Sequence, residues 1–185
     1  MLRHIQGRRW LFSCAALVVA SCLIQATLSW SGAETNQAKE GPQKKAEAMG
    51  IKFEKLEAGY LNRCARSGKL LFTSGFASKT KGRLGKELTA KEGYQAAREC
   101  AVDILRAVWN THGTLDNLRV VKVLGCVNSS PDFVDQPEVI NGCSDMLHEI
   151  FGKKTDGYHA RSALGFAALP KGAAVEIEAI FEIKD

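Results

Sequence analysis

Clustered positive charge is scarce in this sequence, and paired metal ligands are missing from it. The formal charge of +5 comes from 25 Lys and Arg against 20 Asp and Glu. Three of the basic residues, Arg3, Arg8 and Arg9, fall in the first 33 positions, which hold no acid, so the rest of the chain carries 22 against 20. Phosphate contacts need grouped Lys and Arg, so no nucleic-acid partner is expected. Lys44–Lys45, Lys79–Arg83 and Lys153–Lys154 are short runs that read as solvated loops. The four histidines form no paired motif, and the six cysteines show no CxxC spacing. No metal site is therefore expected. Cys64, Cys100, Cys126 and Cys143 lie within apolar runs and read as buried thiols, with a disulfide the lesser alternative.

What is present begins with a targeting segment. "MLRHIQGRRW" supplies positive charge, "LFSCAALVVASCLIQATLSW" an apolar stretch, and "SGA" before Glu34 a small-residue cleavage site. Residues 1–33 are expected to be a signal peptide, making the protein exported, periplasmic or secreted. Two alternatives stay open: a lipoprotein acylated at Cys22 of "VASC", and a retained membrane anchor over 11–30. Residues 34–50, rich in Lys, Glu, Gln and Ala, are expected to be a flexible linker. Residues 51–185 are long enough for one domain with a real core.

Within that domain the pattern alternates strand and helix. "KLLFTSGF" after "YLNRCARSG" predicts a hairpin turning at Ser67–Gly68. Thr89 and Glu92 form a capping box for a helix carrying Tyr94, Ala97, Ala101, Ile104, Leu105 and Val108 on one stripe, ending at His112–Gly113. "LRVVKVLGCVNS" (118–129) is rich in β-branched residues and predicts a strand. A second helix is expected over Pro137–Phe151, then a strand over 160–169, a turn at Pro170–Gly172 and a last strand over 174–183. The order is ββ-α-β-α-ββ, an α+β fold with two helices packed on one face of a single sheet. Nothing in the chain covers the other face, which predicts self-association.

Two features bear on chemistry. Arg161 stands among Ala160, Ala163, Leu164, Phe166, Ala167 and Leu169, the composition of a largely buried strand, where an unpaired guanidinium is costly. The last strand alternates, with Val175, Ile177, Ala179 and Phe181 on one face and Glu176, Glu178 and Glu182 on the other. On residues alone, an arginine paired with an acid and a half-exposed strand explain both.

Five segments taken together go further: "GKLLFTSG", "GKELTAKEGYQAARECA", "VVKVLGCVNSSPDFVDQPEVINGCSDMLHEIFG", "HARSALGFAALP" and "VEIEAIFEI". Over 51–185 the chain resembles the Rid (YjgF) family, in its chorismate-mutase-like branch long labelled endoribonuclease L-PSP. The resemblance implies a chorismate-mutase-like fold and a homotrimer with clefts between neighbouring subunits. It implies that Arg161 binds a substrate carboxylate and that Glu176 is the catalytic carboxylate. It places Tyr60, Ser74, Gly75 and Asn141 around the same cleft. Where the best-studied deaminases of the family have a Cys, this chain has Ala163, and His159 precedes the Ala160–Arg161 pair; both changes bear on substrate identity. His159 by itself reads as structural, though it could titrate near neutrality.

The activity implied is cofactor-free hydrolysis of reactive 2-imino or enamine acids to a 2-keto acid and ammonia, in a homotrimer binding small 2-imino or 2-keto carboxylates. An imine is already electrophilic, so no metal or cofactor is expected. The alternative is a trimer that binds small carboxylates, or acts as a chaperone, without turnover. Ribonuclease activity comes last, because the charge is nearly balanced and the histidines are unpaired.

Overall fold

In the computed structural model of the protein, residues 40–185 are described. The expected signal peptide, and its lipoprotein and anchor alternatives, lie outside the described residues. Among the described residues no helix is long and apolar enough to cross a membrane.

A six-stranded sheet organises the domain. Strands β1 (Cys64–Ser67) and β2 (Leu70–Thr73) form the expected hairpin, and Gly68 takes the turn with φ of 59°. Helix α1 (Pro42–Ala48) precedes the hairpin; after it come a short β3 (Phe76–Ala77), α2 (Ala90–His112), β4 (Leu118–Asn128), α3 (Gln136–Phe151), β5 (Ala160–Phe166) and β6 (Val175–Ile183). The sheet order is β1-β2-β6-β4-β5, with β3 paired beside β6. Only β4 and β5 run parallel, because α3 carries the chain back between them; the other pairs are antiparallel.

The α2 boundaries follow from local chemistry. Thr89 Oγ1 accepts from the Glu92 N–H while the Glu92 carboxylate accepts from the Thr89 N–H, so the capping box is closed. Gly113, at φ of 93°, ends the helix in the left-handed conformation. α2 presents Ala97, Ala101, Ile104, Leu105 and Val108 to the core, and Tyr94 sits half-buried at the edge of that stripe. α3 starts with Pro137 in its first turn and buries Val139, Ile140, Cys143, Leu147 and Ile150.

Both helices meet the sheet face built from Leu118, Val120, Val123 and Val127 of β4 and Val175, Ile177, Ala179 and Phe181 of β6, all buried. At Gly142 the helices cross so closely that a Cβ would collide with the carbonyl oxygen of Tyr94. The opposite sheet face carries Phe72, Leu124, Cys126, Ile180 and Leu164, with Glu176, Glu178 and the Arg119–Glu182 and Lys122–Ser162 pairs among them. No described residue packs over it as a further layer, and Phe72 and Leu164 stand 39% and 48% exposed.

Three expectations are corrected. The segment 34–50 is not a free linker throughout: α1 (Pro42–Ala48) is helical and buries Ala46 completely. It is held because Gln43 bonds the loop after α2 twice, its N–H to Asp116 Oδ1 at 2.9 Å and its Oε1 to the Leu115 N–H at 3.3 Å. The strand around Arg161 is not largely buried. It is the sheet edge, its apolar composition facing outward at Leu164 and Phe166, and it ends at Phe166 rather than Leu169. Cys64, Cys100 and Cys143 are buried free thiols as expected, but Cys126 is only half-buried, because it lies on the open face.

Candidate functional site

The Arg161 side chain is half-buried at the edge of the sheet. It sits opposite Val123 in the β4–β5 register, which turns it to the helix side of the sheet. There Nη1 donates to Asn141 Oδ1 at 2.8 Å and to Ser144 Oγ at 3.1 Å. Both partners are neutral, and among the described residues Arg161 forms no salt bridge. A guanidinium positioned by neutral acceptors keeps its charge and its remaining N–H groups for another anion. The reading of Arg161 as half of an internal ion pair is thereby set aside.

The positioning comes from α3. Asn141, Ser144 and His148 recur at three and four residues, so they share the flank of the helix that faces the sheet edge. Asn141 is itself fixed, its Nδ2 donating to Glu138 Oε2 at 3.1 Å. Ser144 Oγ lies 3.1 Å from His159 Nε2, and His159 Nδ1 lies 2.6 Å from the Gly157 carbonyl. These residues, with Asp145, Lys153 and Tyr158, line an open hollow of about 330 Å³. Asp145 accepts the Tyr94 hydroxyl at 3.0 Å. Arg161 and Lys153 outnumber it, so the hollow suits an anion.

Ser144 and His148 escaped sequence reasoning. Their signal was the spacing Asn141-x-x-Ser144-x-x-x-His148, polar residues on one flank of the helix beside its apolar stripe. The fold also overturns the expectation of unpaired histidines: the rings of His148 and His159 lie 5.3 Å apart, eleven residues distant in sequence. Burial is the main cause holding both imidazoles below their ordinary value, with Arg161 adding to the effect. Cys143, between Asn141 and Ser144 in sequence, is no nucleophile, since burial pushes its thiol up to about 12.

Glu176 lies elsewhere. It is registered with Cys126 of β4 and Ala77 of β3, on the open face of the sheet. Its carboxylate lies directly over Gly75, where any Cβ would collide with it. Ser74 adjoins, its hydroxyl donating to the Asn62 carbonyl at 2.8 Å. Tyr60, two residues before Asn62, is fully exposed and packs on nothing. The expected residues are thus not brought together within one chain: Arg161 and Asn141 lie on the helix side at the sheet edge, Glu176 lies with Gly75 and Ser74 toward the open side, and Tyr60 stands exposed.

The endoribonuclease L-PSP family model matches residues 54–183. A crystal structure of an Agrobacterium tumefaciens protein superposes with a TM-score of 0.70 at 34% identity, covering 78% of this chain and 94% of that one. A Shewanella oneidensis protein, provisionally named an endoribonuclease, superposes equally well at 24% identity, covering 78% of this chain and all of its own, and supports the fold. Protein TCP17 of Trypanosoma cruzi is 47% identical over 105 residues, or 56% of this chain; the match spans 65% of that relative's length. The chain belongs to the endoribonuclease L-PSP family, also known as the Rid (YjgF) family, and has its α+β fold.

Proposed function

We propose that this Rid-family chain is a cofactor-free deaminase of small 2-imino acids, working in a cleft shared by neighbouring copies of a homotrimer. The observation that supports it is Arg161: a half-buried guanidinium held by Asn141 and Ser144 that forms no salt bridge among the described residues. Its planar fork can take a substrate carboxylate through two parallel hydrogen bonds and so fix the plane of the adjacent C=N group.

The chemistry then needs one water and managed protons. Water adds to the imine carbon, forming a C–O bond while the C=N π electrons move to nitrogen. The resulting carbinolamine collapses: its hydroxyl gives up its proton as the C=O forms, the C–N bond breaks, and ammonia leaves a 2-keto acid. Glu176 takes the proton of the attacking water and returns it to the departing nitrogen, with the Tyr60 hydroxyl lending a hydrogen bond. Glu176 and Arg161 lie on opposite faces of one sheet, so the complete site takes Arg161 from one copy and Glu176 from its neighbour. The partly apolar open face and the exposed Tyr60 support such a neighbour.

The test is hydrolysis of 2-imino acids generated in situ by an amino-acid oxidase. Wild type is expected to exceed the buffer rate without added metal or cofactor. Arg161→Ala should reduce turnover by about 100-fold or more, the loss of a charge-assisted bidentate contact, with assembly intact. A wild-type rate equal to buffer across a panel of imines would sink the deaminase; Arg161-dependent binding of a 2-keto acid in that case would establish a binding protein instead.

A further inference from the structure

A directed chain of hydrogen bonds leads away from Arg161. Its Nη1–H donates to Ser144 Oγ at 3.1 Å. Ser144 Oγ lies 3.1 Å from His159 Nε2, and His159 Nδ1 lies 2.6 Å from the carbonyl of Gly157. A carbonyl only accepts, so Nδ1 carries the ring proton and Nε2 is the lone-pair nitrogen. The direction propagates: the Ser144 hydroxyl donates to Nε2, and its oxygen keeps a lone pair for the guanidinium. One backbone carbonyl thereby sets every donor along the chain. His159 and Arg161 are two residues apart on an extended segment, which puts both side chains on the side facing α3.

The surroundings keep this histidine neutral. The ring of His148 leans on it at 5.3 Å, and His148 Nδ1 is itself buried without a hydrogen-bond partner. The charged groups facing the pair are Arg161 at both rings, with Asp145 and Lys153 at His148. For His159, burial lowers the titration most; the Gly157 carbonyl opposes it, and His148 and Arg161 reinforce it.

We propose that His159 is a positioning residue: in its neutral, Nδ1-protonated form it locks the Ser144 hydroxyl and, through it, holds the Arg161 guanidinium ready for a carboxylate. This rests on the reading of Arg161 as the carboxylate dock. His159 touches no reacting atom; it acts through Ser144. By linkage, an anion docked on Arg161 raises the proton affinity of His159.

The test uses the full-length chain labelled with ¹⁵N-histidine, with pyruvate as the probe. Nitrogen shifts should report the Nδ1–H tautomer for His159, and its titration midpoint should lie below about 6.5, the ordinary value for imidazole. That midpoint should move up in Arg161→Ala, which removes a neighbouring cation, and up again in wild type when pyruvate is added. In calorimetry at pH 7.5, His159→Ala should weaken pyruvate binding by about 10-fold, the upper range for one lost hydrogen bond. His159→Gln, whose Oε1 reaches the place of Nε2, should stay within about 3-fold of wild type, a fraction of that same bond. Ser144→Ala, which removes the middle link with little change in volume, should repeat the loss seen with His159→Ala. An Nε2–H tautomer, a midpoint that Arg161→Ala leaves unmoved, or unchanged affinity in both His159→Ala and Ser144→Ala would overturn the proposal. If instead Arg161→Ala binds pyruvate like wild type, the carboxylate dock fails, while the tautomer and the midpoint still judge the relay.

Discussion

Arg161 and Glu176 point to opposite faces of one sheet: Arg161 is registered with Val123 of β4 on the helix side, Glu176 with Cys126 on the open side. A side-chain period of two makes this separation unavoidable, since Val123 and Cys126 differ by an odd number of residues. No rotamer change brings the two groups together within one copy. If they serve one reaction, they do so across an interface.

That relation gives a complementation test. Arg161→Ala and Glu176→Gln should each be inactive alone. When the two are unfolded and reassembled together in equal amounts, about a quarter of the clefts in a randomly mixed closed ring should pair an intact Arg161 with an intact Glu176. Imine hydrolysis should return to that fraction of wild type. No recovery, in mixtures shown by native mass spectrometry to contain assemblies of both variants, would mean that the two residues do not share a cleft.

Asn141 supplies one of the two acceptors that hold Arg161. Asn141→Ala should raise KM by about 3- to 10-fold with little change in kcat, as expected when one hydrogen bond that acts on docking is lost. Arg161→Lys should recover little of the Arg161→Ala defect, because a point charge cannot present two parallel donors while also bonding Asn141 and Ser144. Steady-state kinetics separates these outcomes.

The crossing of α2 and α3 depends on Gly142. Its missing Cβ is replaced by the carbonyl oxygen of Tyr94, a backbone atom that cannot swing aside. Gly142→Ala should therefore destabilise the domain by about 1–3 kcal/mol through overpacking, despite alanine's better helix propensity. Because Asn141 and Ser144 flank this position, the variant should also weaken docking. Denaturant unfolding at fixed protein concentration reads the first effect, and pyruvate titration the second.

Stability should fall on mild acidification. His148 and His159 both titrate lower in the folded protein than when unfolded, chiefly from burial. Between about pH 6.5, where unfolded imidazole protonates, and the lower folded midpoints, the unfolded chain binds more protons. The stabilising contribution is thus complete above that window and is lost as pH falls through it. The thermal midpoint should drop on going from pH 7.5 into the window. The His148→Gln, His159→Gln double variant should flatten that slope; an unchanged slope would assign it to other groups.

Much of this architecture could be read directly from residue order. Thr89 and Glu92 set the start of α2 through backbone bonds three residues apart, and Gly113 ended it; both effects are local and so visible in a string of letters. The alternation in β6 separated Phe181 and Ile177 from Glu176 and Glu178 for the same reason, since a strand's period holds whatever packs on it. Arg161 and Glu176 were recognisable only because several segments resembled one family.

Tertiary structure decided the rest. Whether an apolar strand lies inside or at an edge depends on how many strands pair beyond it, and nothing in Ala160–Phe166 encodes that Leu164 and Phe166 face outward. Gln43 turns a polar stretch into a docked helix by bonding residues more than seventy positions away. The meeting of Ser144, His148 and His159 at Arg161 requires α3 to lie along the edge of the sheet at one particular rotation. Local patterns fix periodicity and termini, because those arise from bonds between near neighbours. The partners of Arg161 arise from the packing of a helix on a sheet, and only the folded chain brings them together.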